Sequence, residues 1–217
     1  MHFDPHGRPS GVTVDLTRRL ACLNLLKISF KIIAVGTLKA SKGYDRLLRI
    51  VERLKKISDI HLYILGTGPL REKLETFVKE HDIDRDVTFL GYDMNPYKYV
   101  SKCDLFVCAS HAEGFSTAAT EALIAGTPVC TVNVSGMKEM LGENNEYGIV
   151  TDNSEEALYQ GIKKLMDDPK LLDYYKKAAK ERAKIFSTSA TVNAVEEMLD
   201  VVGKRAGEEE KLLDIDY

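Results

Sequence analysis

Two carboxylates with seven residues between them are the first chemistry the chain offers. They lie in Ser110-His-Ala-Glu113-Gly-Phe-Ser-Thr-Ala-Ala-Thr-Glu121-Ala-Leu-Ile-Ala-Gly126-Thr-Pro128-Val129. This stretch follows an apolar run of strand length and opens a helix, so its first residues sit where a helix begins. Gly114 relieves the backbone there, and the N–H groups of Phe115, Ser116 and Thr117 are left free at a helix N-terminus, placed to hold an anion. A phosphate is the obvious candidate. Glu113 stands just before the terminus and Glu121 a little over two helical turns further on, so both carboxylates can lie near one side of the loop. Carboxylates only accept hydrogen bonds, and bonds to them from the adjacent hydroxyls of a sugar or ribose are charge-assisted. Such a pair suits a polyhydroxylated ligand.

The surrounding elements have to hold that loop in place. From residue 30 short apolar runs alternate with longer stretches of helical periodicity, the pattern of a parallel sheet covered by helices. Lys31 to Val35, His61 to Leu65, Val87 to Leu90, Leu105 to Cys108, Pro128 to Val132 and Gly148 to Val150 read as strands. They show little polar alternation, as expected of parallel strands covered on both faces. Leu47, Leu48, Val51, Leu54 and Ile57 make one helical stripe, and Leu70, Leu74, Phe77 and Val78 another. Repeated strand, crossover helix and parallel strand give a doubly wound, Rossmann-like α/β domain, which binds ligands at the carboxyl ends of its strands. Gly66-Thr-Gly68-Pro69 follows the second strand, with Pro69 expected at the first helical position.

After residue 153 the pattern is helical. Leu158, Ile162, Leu165 and Met166 form one stripe, Pro169 opens a second helix toward Phe186, and a third is expected from Ala190 to Val202. The domain is therefore drawn over residues 30–202. Residues 1–29 form a lead-in with Pro5, Gly7, Pro9 and Gly11, then a short helix around Val14 to Leu26. Residues 203–217 carry Glu208, Glu209 and Glu210 without a sustained apolar face and read as an acidic, solvated tail, Asp214 and Asp216 included.

Composition excludes other classes. The net charge is -3, and the Lys and Arg residues are spread along the chain rather than gathered in a stripe, which argues against nucleic acid as a partner. No stretch approaches the length of a membrane span, so a soluble, cytoplasmic protein is expected. Cys22, Cys103, Cys108 and Cys130 form no Cys-x-x-Cys pair and read as reduced thiols, the last three as small hydrophobes in apolar runs.

The Glu113 block resembles the signature of the group-1 retaining glycosyltransferases, two glutamates separated by seven residues. Gly114-Phe115, the Glu-Ala-Leu around Glu121 and Gly126-Thr127-Pro128-Val129 are in register with that pattern. The resemblance implies that Glu113 contacts the donor sugar near its reacting carbon and that Glu121 holds the nucleotide ribose. Gly36-Thr-Leu-Lys-Ala-Ser-Lys42-Gly43 is similar to the family's glycine-rich turn after the first strand, whose lysine binds the donor diphosphate. Lys42 is thus expected, with Glu113, in the catalytic centre, where an ammonium would offset charge building on the leaving diphosphate. By the same resemblance Gly36, Gly66 and Gly68 border the donor, and Phe89-Leu-Gly91-Tyr92 lines the nucleobase pocket with Tyr92 as a wall. His111 is not expected to act as a base. One residue departs from the pattern: the family's arginine after the first glycine is Thr37 here. Threonine cannot replace a planar fork of donors, so Lys39 is the candidate stand-in.

The resemblance implies a GT-B enzyme of hexosyltransferase type, retaining and metal-independent, with no cofactor. Its substrate would be a nucleoside diphosphate sugar, used in polysaccharide or glycoconjugate assembly. In such enzymes an N-terminal domain binds the acceptor and a C-terminal one binds the donor, and the recognisable residues all belong to the second. Phe3-Asp4-Pro5 resembles the end of the linker between them, so an acceptor domain is expected in cis or in trans, and the helix from Ala190 should present Val192, Val195, Met198 and Leu199 to it. Two other readings stand beside this one. The first is a binding or regulatory module that keeps the fold without the chemistry, motivated by Thr37. The second is an enzyme of similar architecture such as a nucleotide-sugar epimerase, which the paired glutamates fit less well.

Overall fold

The structure, a computed structural model, describes residues 29–186. Expectations for Cys22, the lead-in, the helix from Ala190 and the acidic tail lie outside those residues. Six strands form one parallel sheet: β1 (Phe30–Val35), β2 (Ile60–Leu65), β3 (Val87–Gly91), β4 (Leu105–Cys108), β5 (Val129–Val132) and β6 (Ile149–Thr151), in the order β3-β2-β1-β4-β5-β6. All six expected strands are present, with ends shifted by a residue or so. Seven helices accompany them among the described residues: α1 (Tyr44–Leu54), α2 (Arg71–Glu80), α3 (Tyr97–Val100), α4 (Thr117–Ile124), α5 (Met137–Leu141), α6 (Glu155–Asp167) and α7 (Pro169–Ala183).

Side chains alternate across the sheet as a strand's period of two requires. Ile32, Ala34, Leu62, Ile64, Leu105 and Val107 face Leu47, Val51 and Leu54 of α1, Leu74 and Val78 of α2, and Leu158, Ile162 and Leu165 of α6. Ile33, Tyr63, Leu65, Phe106 and Cys108 face the other way, toward Tyr99 of α3, Ala119, Ala122 and Leu123 of α4, and Met137 and Met140 of α5. Both faces are covered, which explains why the strands read as unbroken apolar runs. Cys103, Cys108 and Cys130 are buried free thiols, although Cys103 follows α3 rather than lying in a strand.

Helix starts follow the sequence. Asp168 accepts from the N–H groups of Lys170 and Leu171 with Pro169 in the first position of α7, and Ser154 and Ser116 cap α6 and α4 by accepting from Ala157 and Ala119. Two expected ends move. The α1 stripe stops at Leu54, because the chain tightens there, Ile57 N–H and Ser58 N–H both donating to Leu54 O, and Ile57 is left 54% exposed. Pro69 precedes α2 rather than opening it. It occupies the second position of a turn in which Arg71 N–H donates to Gly68 O at 3.1 Å, where its fixed φ is equally well suited.

The strand order reverses between β1 and β4, so the loops leaving their carboxyl ends diverge and leave a crevice. Close backbone contact shapes it. Gly66 has φ 145°, and a Cβ there would lie 1.9 Å from Gly36 O; one on Gly68 would lie 2.6 Å from Leu38 N and O. The turn after β2 therefore packs directly on the turn after β1. Gly114 behaves differently: its φ is ordinary and nothing lies within 4 Å of a Cβ placed on it. The expectation that Gly114 relieves the backbone is thus corrected, since what this glycine provides is open space. Accordingly Gly66→Ala is expected to lower stability by about 1–3 kcal/mol or more, and Gly114→Ala to change it by less than about 0.5 kcal/mol, in urea unfolding. Equal effects at the two positions would contradict this assignment.

Candidate donor-binding site

Three loops meet at the crevice. The first runs from Gly36 to Gly43 between β1 and α1 and includes a single 3-10 turn, Ala40–Lys42. Gly43 closes it with φ 63°, and a Cβ there would lie 1.9 Å from Ala109 O, so this loop and the one after β4 touch backbone to backbone. The Tyr44 hydroxyl donates to Gly36 O at 3.1 Å, which ties the start of the turn to the start of α1. Burial first, and the charges of Cys108 and Glu113 after it, push the Tyr44 phenol well above its ordinary pKa, so it remains a donor.

Across this contact Lys42 Nζ donates to both carboxylate oxygens of Glu113, at 2.6 and 2.8 Å. The Lys42 side chain is 22% exposed and that of Glu113 10%, so the pair is partly withdrawn from water but still open to a ligand. Ser116 and Tyr44 line the small recess beside Lys42. Ser116 is buried as the cap of α4, Thr117 is exposed, and the Phe115 ring is 54% exposed. Among the described residues, none of the N–H groups of Gly114, Phe115, Ser116 and Thr117 donates to a backbone acceptor. They are the unsatisfied positive end of an eight-residue helix.

On the other side of Gly36 lies a cavity of about 310 Å³, bordered by Gly36, Thr37, Gly66, Tyr92, Asp93 and Glu121 among others. That volume is at the lower end of small-ligand sites. Lys42 does not border it, but a Cβ on Gly36 would lie 3.7 Å from Lys42 Cε. The Lys42–Glu113 pair and the Glu121 cavity therefore adjoin a single glycine turn. Gly68 stands against the backbone of Leu38 rather than in the cavity wall. His111 is exposed, with its ring nitrogen 3.8 Å from Asp45.

Tyr92, 69% exposed, and Met94, 86% exposed, form an apolar lip on the cavity. Asp93 between them is fixed: its oxygens accept from Asn95 N–H at 2.9 Å, the Tyr99 hydroxyl at 3.0 Å and Lys98 Nζ at 2.8 Å. Burial alone would raise its pKa, but the bonds from Lys98, Asn95 and Tyr99 outweigh that and hold it below the usual carboxylate range. Tyr92, expected from the sequence as a pocket wall, borders this cavity, and so do Asp93 and Met94, which the sequence reading did not single out. The Asp-x-Asn that follows Tyr92 was the available signal, because an aspartate commonly bonds the backbone two residues on. At the opposite ends of the strands Asp104 accepts from the Lys31 backbone N–H at 2.9 Å and lies 3.9 Å from Lys176 Nζ.

Among the described residues no group of three or more His, Cys, Asp or Glu is placed to hold a metal ion, and no helix is long and apolar enough to cross a membrane.

A parallel α/β sheet with paired acidic and basic side chains at its switch point defines a doubly wound domain, of the class that takes ligands beyond the carboxyl ends of its strands. The model of the family Glycosyl transferases group 1 matches residues 24–182, and the chain belongs to that family. It is 41% identical over 157 residues to the N-acetylgalactosamine-N,N'-diacetylbacillosaminyl-diphospho-undecaprenol 4-alpha-N-acetylgalactosaminyltransferase of Campylobacter jejuni; the match covers 71% of this chain and 42% of that protein. The chain thus spans about two fifths of that relative's length. Among solved structures, HepE from Anabaena in complex with UDP superposes with a TM-score of 0.75 at 18% identity, over 88% of this chain and 54% of that one. The C-terminal domain of a group 1 family protein from Francisella tularensis superposes with a TM-score of 0.66 at 22% identity, over 76% of this chain and 91% of that one. These likenesses show a GT-B, Rossmann-like fold.

Burial raises the pKa of Glu121 above the ordinary carboxylate value. The folded protein then holds this proton more tightly than the unfolded chain. Stability contributed by the protonated form is present below the unfolded pKa and is lost as pH rises through the raised folded value. Glu121→Gln is expected to be more stable than the native protein at about pH 7 and indistinguishable from it near about pH 3, as read from urea midpoints across the range. A variant less stable at neutral pH would show that the carboxylate is compensated where it sits.

Proposed function

We propose that this domain binds the nucleoside diphosphate sugar in a retaining, metal-independent glycosyl transfer, with an acceptor-binding domain supplied in cis or in trans. The observation that carries the reading is the convergence on the Gly36 turn of a cation held by one glutamate and a cavity walled by another. The diphosphate would lie between Lys42 and the start of α4, where the Phe115, Ser116 and Thr117 N–H groups and the ammonium both favour negative charge. The ribose hydroxyls would donate to Glu121, and the base would lie in the cavity against Tyr92. Glu113, close to Lys42, would face the sugar.

In the transfer the bond from the sugar carbon to the diphosphate oxygen breaks, and its electron pair leaves on the diphosphate. The acceptor hydroxyl oxygen bonds the same carbon on the same face, its proton passing to the departing diphosphate. Lys42 and the helix terminus stabilise the charge that grows on the leaving group, in the positions where it develops. The name of the Campylobacter jejuni relative, a transferase acting on a diphospho-undecaprenol-linked glycan, supports a role in glycoconjugate or polysaccharide assembly, and a cytoplasmic site of action fits an activated-sugar donor. The UDP in the Anabaena structure supports a uridine nucleotide as the first ligand to try.

Thr37 favours a second reading, a binding module without transfer activity, because it borders the cavity where the family pattern carries an arginine. Titration calorimetry with uridine, guanosine and adenosine diphosphates separates the two at the level of binding. Lys42→Ala is expected to weaken the best of these about ten- to a hundredfold, and Glu121→Ala by a smaller factor, about tenfold, given the strength of hydrogen bonds to charged groups. Thr37→Arg is expected to tighten it. Unchanged affinity in both alanine variants would refute the placement of the site.

A further inference from the structure

Helix α1 carries a charged side chain inside the protein. Arg46 is 3% exposed, and Ile50, one turn further along the same edge, is fully buried. A guanidinium is withdrawn from water at considerable cost unless its donors find acceptors. Here Nε donates to Ala109 O at 2.7 Å, Nη2 to Ser110 O at 2.7 Å and Nη1 to Asn153 Oδ1 at 2.8 Å. None of these partners is a carboxylate. Asp45 and Glu155, whose charges reach Arg46, are bonded to Arg49 instead. The side chain is therefore a fastener between α1, the loop after β4 and the loop after β6 rather than half of an ion pair.

Its bonds fall on one short run of backbone. Asn153 Nδ2 donates to His111 O at 3.1 Å, so the carbonyls of residues 109, 110 and 111 are all held by Arg46 or by the amide that Arg46 itself binds. His111 N–H donates to Ser41 O at 2.8 Å, which pins the same run to the turn carrying Lys42. Glu113 follows two residues later and meets Lys42.

We propose that Arg46 is a positioning residue: by fixing the peptides Ala109–His111 it holds Glu113 and the start of α4 against the Lys42 turn. This rests on the reading of Glu113 and α4 as donor-binding elements. A planar fork of donors is needed for three divergent acceptors, a task a lysine's single ammonium does only in part and a methionine of similar length cannot do.

The test uses Arg46→Met and Arg46→Lys in the full chain, with Arg53→Met as the comparison, since Arg53 pairs with Glu156 near the surface of the same helix. Amide hydrogen exchange reads the loop without any ligand. In Arg46→Met the His111 amide, bonded to Ser41 O, is expected to exchange about tenfold faster or more while β1 and β2 keep their protection. Calorimetry is expected to show uridine diphosphate, or whichever of the three diphosphates binds best, weakened about five- to twentyfold. The lysine variant should fall between, and Arg53→Met should change neither quantity. Retained protection at the His111 amide, or a loss spread evenly over the sheet, would overturn the proposal, as would faster exchange with unchanged affinity. If the native protein binds none of the diphosphates, the functional reading fails, and the exchange comparison alone still decides whether Arg46 fixes the loop. Should the methionine variant not fold, the lysine variant carries both measurements.

Discussion

Backbone contact at the sheet's switch point governs the rest of this domain. β1 and β4 are neighbours, yet their outgoing loops lead to helices on opposite faces, so the two loops meet only at the strand ends. There they touch without intervening side chains: Gly43 lies against Ala109 O, and Gly66 lies against Gly36 O on the adjoining turn. A side chain at either glycine would part the loops. With the loops in contact, two charges from distant parts of the chain come within 2.6 Å, and a cavity forms on the far side of the same turn. The glycines are thus as necessary to the site as the residues that carry charge, because they set the separation those residues must bridge.

The sheet was legible in the sequence for a simple physical reason. Strands buried on both faces have no polar alternation, and five of the six expected runs differ from the observed strands at their ends by a single residue while Leu105–Cys108 agrees at both. The spacing of Glu113 and Glu121 was legible too, as was the turn bearing Lys42. What escaped notice was how these parts pair. Periodicity reports which face of a helix is apolar, and Arg46 sits at the edge of an apolar stripe with nothing in its spacing to show that it is buried. Its acceptors are main-chain carbonyls of residues 109 and 110 and an amide at residue 153, which leave no mark in side-chain pattern. Gly114 was misread for a related reason: a glycine before a helix suggests unusual φ, while here it is the space beyond the backbone that a side chain would alter.

The two glutamates stand in contrasting electrostatic settings, and the contrast bears on what each can do. Glu113 is matched by an ammonium on both of its oxygens, so its negative charge is held in place by a partner that is itself movable, a lysine with a flexible stem. Glu121 has no ion pair among the described residues and is instead partly withdrawn from water, which raises its pKa. A carboxylate in that condition gains more than an exposed one from a neutral donor, because the bond replaces lost hydration without the further cost of removing it. Hydroxyl groups on a ribose are donors of that kind. Glu113 has the opposite character: an anion approaching Lys42 competes for the same ammonium, and Coulomb energy at about 3 Å, even in the well-screened surroundings of a protein surface, is large enough for the competition to matter. Under the proposed donor-binding role, a diphosphate that drew Lys42 toward itself would free oxygens of Glu113 for the sugar. On that proposed role, the difference in setting gives one carboxylate that is fixed and unpaired among the described residues and a second whose acceptor oxygens depend on where Lys42 lies.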